Sequence, residues 1–147
     1  MSIDSTPPVK NGITYNAGSG KKLWAVDART GKPKWVFETR GQIYSSPAVT
    51  DEHVYVGSND HKLYAVAVED GKEVWRFATG GPVLSDPSVA AGVVYFGGSD
   101  GKIYAVDAQT GQQTWEFPTG SPVTSSPYVG DGVLYVTSED GCLFAVE

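Results

Sequence analysis

The sequence has little of the chemistry from which catalytic and metal sites are commonly built. Its 147 residues include one cysteine, Cys142, and two histidines, His53 and His61. A single cysteine cannot form a disulfide within the chain or a cysteine-rich zinc site. Two histidines leave few groups for catalysis or metal binding.

Charge and long apolar runs are also scarce. Charged residues make up 19% of the chain, and 11 basic against 17 acidic residues give a net charge of −6. A nucleic-acid-binding protein would show a basic stripe, so we expect no nucleic acid partner. No apolar run approaches the roughly 20 residues of a membrane span. Residues 1–10 also lack the hydrophobic region of an export signal.

What the sequence does have is a repeat of 40 residues. Residues 50–89 match residues 90–129 at 18 of 40 positions without a gap. The residue types that recur at this step include Trp35, Trp75 and Trp115, Tyr15, Tyr55, Tyr95 and Tyr135, and Pro7, Pro47, Pro87 and Pro127. A period near 40 is typical of propeller blades or of long helical repeats.

Short strands rather than helices fill each repeat. In the third repeat the β-branched and aromatic runs are residues 93–96, 103–107 and 114–117, and residues 126–129 open the next repeat. Turn residues separate these runs, and no stretch has the apolar spacing of a helix. The first two runs are almost entirely apolar, which predicts strands buried on both faces. We predict an all-β fold of β-propeller blades, each of four antiparallel strands A to D running outward from a central channel.

Each complete repeat carries a motif with Ala first, Gly seventh and Trp eleventh. This motif resembles the tryptophan-docking motif of the pyrroloquinoline-quinone-like β-propeller repeats, and the resemblance covers essentially the whole chain. In that setting Ala leaves room beside the indole, Gly turns the corner between strands C and D and receives the flat ring, and Trp is buried between blades. The motif residues are Ala25, Gly31, Trp35, Ala65, Gly71, Trp75, Ala105, Gly111 and Trp115.

The second copy of the motif departs from the other two. Ala67 replaces the aspartate of Asp27 and Asp107, and Asp70 replaces a threonine. We expect its C–D corner to form nevertheless, because aspartate can cap such a turn.

The resemblance includes quinone-dependent alcohol and glucose dehydrogenases, which are longer rings. It implies for those enzymes a bound calcium, a catalytic aspartate, a tryptophan beneath the quinone and, in several, a pair of adjacent cysteines. This chain has no adjacent cysteines, and its acidic residues recur with the repeat instead of converging on one place. We therefore expect no enzymatic activity, no cofactor and no metal.

Departures from the repeat mark a possible binding face. In propellers the D–A loops and B–C turns gather at one end of the channel. The first D–A connection breaks the Gly-x-Pro-Val pattern of the other two with Arg40 and Gln42. His61 is distinctive in its B–C turn, and Asp86 stands where the other repeats have Ser46 and Ser126. These residues are the candidates for a ligand or partner contact, and ordinary drift of exposed loops is the alternative.

The repeat predicts blades at residues 5–44, 45–84, 85–124 and 125–147. The last is expected to hold three strands, because residues 145–147 begin a fourth motif without its Gly and Trp. Rings of this repeat usually hold seven or eight blades, so a four-blade arc would expose two apolar end faces. We expect the chain to close an eight-bladed ring with a second copy; the alternatives are that it tightens into a four-bladed monomer or belongs to a longer propeller.

The function predicted on these grounds is that of a non-catalytic, rigid binding scaffold with a possible protein partner. The resemblance suggests two concrete versions: outer-membrane assembly lipoproteins, which bind partner proteins, and extracytoplasmic sensor domains of bacterial serine/threonine kinases. A fragment of a quinone-dependent dehydrogenase is the competing class. The proteins that the chain resembles are mostly exported, whereas residues 1–10 show no export signal, so the compartment stays unassigned.

Overall fold

The computed structural model describes residues 8–17 and 20–146, and within them all regular structure is antiparallel β-sheet. Four sheets follow one another along the chain, as the predicted all-β succession of blades requires. Their strands are β1 (Val9–Lys10), β2 (Ile13–Ala17), β3 (Lys22–Asp27) and β4 (Pro33–Glu38); β5 (Ala48–Val49), β6 (His53–Gly57), β7 (Lys62–Ala67) and β8 (Glu73–Ala78); β9 (Ser88–Ala90), β10 (Val93–Gly97), β11 (Lys102–Asp107) and β12 (Gln113–Pro118); and β13 (Tyr128–Gly130), β14 (Val133–Thr137) and β15 (Leu143–Val146).

Each strand pairs with its neighbour in sequence, so every sheet is a simple meander. The first three sheets have four strands, and the fourth has three among the described residues. In each four-stranded sheet the pairing of strands C and D shifts by one residue directly after the motif alanine on strand C, at Ala25, Ala65 and Ala105. The fold class predicted from the repeat is therefore confirmed as blades of a β-propeller.

The sheets fall inside the predicted blade ranges, with connections between residues 38 and 48, 78 and 88, and 118 and 128. Residues 5–7 and 18–19 of the first predicted blade and residue 147 of the last lie outside the described residues. Strand A of the fourth blade begins at Tyr128, two residues later than the sequence pattern suggests. β5, β9 and β13 all begin directly after a proline, which has no N–H for a ladder.

The core lies between blades rather than within one sheet. Three clusters of buried apolar side chains fill the three seams between successive blades. In the second blade all five residues of β6 are buried, because a neighbouring blade covers each face. In the fourth blade β14 alternates between buried and exposed residues, since one of its faces is uncovered. Continuous apolar runs thus identify strands that are sandwiched on both sides.

The four-residue corner between strands C and D forms in all three complete blades. Gly31, Gly71 and Gly111 have φ values of 72° to 74° and donate their N–H to the carbonyl four residues earlier at 2.8–2.9 Å. In the first and third corners an aspartate side chain also accepts two backbone N–H groups, as Asp107 does from Gln109 and Thr110 at 2.8 and 3.0 Å. These hydrogen bonds hold the pKa of Asp107 below its ordinary value.

Ala67 cannot make these two bonds in the second corner, so Ala67→Asp is expected to raise the melting temperature at pH 7. The gain should depend on pH with a defined sign. A carboxyl whose pKa is lowered by folding stabilises the protein above the unfolded pKa, and this contribution is lost as the pH falls through the folded value. Thermal melts of both proteins from pH 7 to pH 3 measure this. Curves that stay separated by the same interval at pH 3 would contradict the capping explanation.

Among the described residues there is no helix that could cross a membrane.

Candidate functional site

One end of the arc is built from the D–A loop of each blade and the B–C turn of the next. Asn59 N–H donates to the Gln42 carbonyl at 2.8 Å, and Arg40 N–H donates to Asp60 Oδ2 at 3.1 Å. A Cβ on Gly41 would lie 2.5 Å from the Asp60 nitrogen, so the close approach of loop and turn requires glycine there. The loops at this end are therefore fixed against a rigid frame.

Asp60 ties three elements together at this end. Its carboxylate accepts the N–H groups of Arg40 and Lys62 and the hydroxyl of Tyr64, the last at 2.5 Å. Burial, together with the hydrogen bond to Asp60, raises the pKa of Tyr64 above its ordinary value. Asp100 repeats this arrangement one blade later with Gly80 N–H and the Tyr104 hydroxyl.

Two further sets of hydroxyls hold the same end. Thr39 donates to the Gly41 carbonyl at 2.6 Å, and Thr79 and Thr119 make the corresponding bonds in the next two loops. Ser45 exchanges hydrogen bonds with the backbone of Gly57, and Ser85 does so with Gly97. The sequence reasoning missed these threonines, serines and aspartates, although each set recurs at the 40-residue step.

Three of the four predicted binding residues surround one turn, residues 58–61. Arg40 lies in the loop that donates to Asp60, Gln42 bonds Asn59 through its backbone, and His61 follows Asp60 with a φ of 76°. All three are exposed. Tyr44, exposed to 43%, donates its hydroxyl to the Gln42 side chain. Lys21 adjoins this group, because its carbonyl accepts the Thr39 N–H at 2.7 Å.

Asp86, the fourth predicted residue, has a different setting at the entry to β9. Its carboxylate accepts the Ser46 N–H at 2.5 Å and the Ser126 hydroxyl at 2.9 Å. It therefore links the innermost segments of three successive blades. The departure of Asp86 from the serine of the other repeats has a structural explanation in these two bonds.

The motif tryptophans pack across the seams. The indole of Trp35 lies against Gly71 of the next blade, where a Cβ would come within 2.5 Å of the ring, and its Nε1 donates to the Val68 carbonyl at 2.8 Å. Trp75 repeats this over Gly111, with Nε1 donating to the Ala108 carbonyl at 3.1 Å.

A small residue between two aromatic rings makes this packing possible. In each complete blade the motif alanine pairs with a tyrosine on strand B and with the tryptophan on strand D, as Ala65 does with Tyr55 and Trp75. The two rings then approach over the alanine, with centroids 5.8–6.0 Å apart in the three blades. Burial raises the pKa of Tyr55 to about 12, and its hydroxyl shares the Ala108 carbonyl with Trp75.

The two ends of the arc differ from its interior. A Cβ on Gly31 would meet nothing within 4 Å, since no described indole lies over it. Trp115 is only half-buried and borders a cavity of about 190 Å³ lined by Tyr95, Val129 and Val146 among others. The first blade thus presents a corner that receives no ring, and the third presents a ring that reaches no corner among the described residues.

The described residues bring no reactive constellation together. No group of three or more His, Cys, Asp or Glu side chains in the described ranges could hold a metal ion. Cys142 is exposed, and the hydrogen bond and charge of Asp140 raise the pKa of its thiol, which disfavours the nucleophilic thiolate. The arrangement can present fixed loops to a partner.

Comparison with known proteins gives a family match over the whole chain. A family model described as outer membrane protein assembly factor BamB matches residues 1–116 and again residues 63–147. No curated protein matches the chain.

Solved structures show the same architecture. BamB from Moraxella catarrhalis is 28% identical with a TM-score of 0.86, over 97% of this chain and 46% of that one. The computationally designed Ika4 protein has a TM-score of 0.88 at 17% identity, over 98% of this chain and 89% of its own. Quinohemoprotein alcohol dehydrogenase from Comamonas testosteroni has a TM-score of 0.79 at 23% identity, over 93% and 29%. The chain therefore spans about half the length of the BamB structure and nearly all of Ika4.

Proposed function

Because the chain belongs to the family described as outer membrane protein assembly factor BamB, we propose that it is a non-catalytic propeller module that binds a protein partner on its loop end. The observation that carries the proposal is the group formed by Arg40, Gln42 and His61 around one rigid turn. Loops held on a stable scaffold are the usual carriers of recognition.

The charge of this group suggests the chemistry of the partner. The chain has a net charge of −6, yet Lys21, Arg40 and His61 are exposed at the loop end of the first two blades, where the one carboxylate of the turn, Asp60, is engaged by hydrogen bonds. A local basic group on an acidic protein favours encounter with an acidic segment and disfavours most other surfaces. Exposed Tyr44 beside Gln42 adds an aromatic contact of the kind enriched at protein interfaces.

A titration with an acidic peptide tests the binding face. The 15N-labelled protein is titrated with a synthetic peptide of alternating Asp and Tyr, and amide shifts are followed by NMR. We expect the largest shifts at residues 40–44 and 58–61, and up to about fivefold weaker binding for Arg40→Glu, because a rim charge pair contributes up to about 1 kcal/mol. Arg29→Glu makes the same charge change at the opposite end of the first blade. Equal weakening by both variants would overturn the proposed face.

A second test addresses catalysis. Pyrroloquinoline quinone with calcium is added, and the melting temperature is measured. A ligand present at 100 times its dissociation constant adds ~2.7 kcal/mol to the free energy of unfolding, which raises the melting temperature by several degrees. We expect no shift. A clear rise would support the quinone-dehydrogenase fragment in place of the scaffold.

The proposed module closes an eight-bladed ring with a second copy of itself. Two copies of a chain that covers 46% of the BamB structure supply about as much propeller as one BamB chain. A closed ring also covers apolar side chains that the single arc exposes, such as Tyr128 and Leu143, both 67% exposed.

A further inference from the structure

The three seams inside the chain show what each face of a blade binds. We call the face that packs on the following blade the outgoing face; in the second blade it includes Tyr55, Leu63 and Phe77. We call the face that receives the preceding blade the incoming face; in the third blade it includes Phe96 and Tyr104. Phe77 contacts both of these rings, with centroids 5.9 and 5.4 Å away.

Two faces of this kind have no cover among the described residues. The outgoing face of the fourth blade exposes Tyr128 and Leu143 to 67% and Tyr135 to 39%. Tyr128 and Tyr135 stack on each other with centroids 6.4 Å apart. The incoming face of the first blade carries Asn16 and Trp24, both half-buried. Every internal seam joins an outgoing face to an incoming face through apolar side chains, so these two uncovered faces are of the types that pack on each other.

Each uncovered face carries a polar side chain where the internal faces have an apolar residue or glycine. Both polar residues lie near the end of strand B in their blades. Asn16 stands where the other blades have Val56, Phe96 and Val136, and its Nδ2 donates to Thr14, which replaces a valine or leucine. On the opposite face Thr137 stands where the other blades have Ala17, Gly57 and Gly97. In the first internal seam Ala17 and Val56 belong to one buried cluster, so both positions face that seam.

The aromatic residue of strand C also differs at the end of the arc. Tyr64, Tyr104 and Phe144 each receive a phenylalanine from the preceding blade, with centroids 5.4–5.7 Å apart. The first blade has Trp24 at this position, and Trp24 is larger. Trp24 therefore gives the uncovered incoming face of the first blade a larger ring than the covered faces have.

We infer that the outgoing face of the fourth blade binds the incoming face of the first blade of a second copy, with Thr137 and Asn16 side by side in the new seam. This inference rests on the proposed ring and adds the residues that specify its closure. A hydroxyl and an amide can hydrogen-bond to each other, whereas either one placed against an internal apolar face would lose hydrogen bonds on burial. The polar pair therefore favours this seam over other pairings of the exposed faces. A twofold axis forms the contact twice in one dimer.

A double-mutant cycle on the dimer tests the inference. Asn16→Ala, Thr137→Ala and the double variant are compared with the unmodified protein by sedimentation velocity over a range of concentrations. We expect each single change to raise the dissociation constant at least about fivefold, since two bonds of about 0.5–1.5 kcal/mol are lost per dimer. The double variant should resemble the single ones. The two residues lie three blades apart in one chain, so coupling in a concentration-dependent dimer places them in contact between copies.

A second pair of variants keeps the test independent of the hydrogen bond. Leu143 lies on the outgoing face, so Leu143→Arg is expected to give a monomer. Val74 lies on strand D of the second blade and is 45% exposed, so Val74→Arg is expected to leave the dimer intact. A dimer with additive effects at Asn16 and Thr137 would overturn this seam while leaving the ring in place. A monomeric unmodified protein would overturn both, and coupling in a monomer would show closure within one chain. Binding of the acidic peptide is measured separately and can fail on its own.

Discussion

Replacing Trp75 with alanine is expected to lower the free energy of unfolding by about 3–5 kcal/mol. The indole is only 8% exposed, lies over Gly111 and donates a hydrogen bond to the Ala108 carbonyl. Its removal leaves a cavity in the seam between the second and third blades and deprives Tyr55 of its ring contact. Urea denaturation followed by circular dichroism measures the change.

Trp115→Ala is the matched control for this variant. Trp115 occupies the same motif position and packs on Tyr95 with the same geometry as the other motif tryptophans. It is half-buried, and no described corner lies over its outer face. We expect its replacement to lower the free energy of unfolding by about 1–2 kcal/mol less than that of Trp75. Among the described residues, Trp115 has neither a corner glycine packed on its outer face nor an indole hydrogen bond to lose. Equal costs would show that docking on the next blade contributes little.

Substitution of Gly111 by alanine is expected to cost about 2–5 kcal/mol, in contrast to the same change at Gly31. Both glycines have a φ near 73°, so alanine brings a similar backbone strain of about 1–2 kcal/mol at each position. At Gly111 the new Cβ would also lie 2.5 Å from Cδ2 of Trp75, whereas at Gly31 it would meet nothing within 4 Å. Displacing a packed ring adds about 1–3 kcal/mol.

The difference between the two alanine variants isolates the contact between ring and corner. Both are measured by urea denaturation at one protein concentration, and an unchanged slope shows that the unfolded states are comparable. Gly31→Ala with a cost equal to that of Gly111→Ala would contradict the view that Gly111 is kept small by the indole. It would also indicate that something covers Gly31 in solution.

The strands and their order could be predicted because the repeat places the same residue types in the same roles. Ala65, Gly71 and Trp75 lie within one motif, so their spacing along the chain already describes the C–D corner and the strand pair around it. The burial of β6 on both faces was likewise readable from an unbroken apolar run. Structure within a single hairpin can therefore be predicted from the residue types and their spacing along the chain.

The loop end was harder to predict because its contacts join different blades. Asp60 binds the backbone of Arg40, 20 residues earlier, and Asp86 binds Ser46, 40 residues earlier. Such contacts depend on how closely successive blades approach, which spacing along one strand does not give. Departure from the repeat located Arg40, Gln42 and His61 around one turn. The same criterion selected Asp86, for which the structure supplies a role in linking blades.

Each blade of the chain is stabilised by apolar contacts with the blades that pack on its faces. Where a blade has neighbours, its apolar strands are buried, and where it has none, residues such as Leu143 are exposed. The polar changes at Asn16 and Thr137 lie on the two faces that no described blade covers. A scaffold of this kind presents a fixed loop end only when its blades are held in place.

The molar mass in solution tests the central claim most directly. Light scattering during size-exclusion chromatography is measured at several concentrations of the unmodified 147-residue protein, whose chain mass is 15.6 kDa. Closure with a second copy predicts twice this mass at the higher concentrations, with a return toward the single mass on dilution. A mass of 15.6 kDa at every concentration would contradict the two-copy ring.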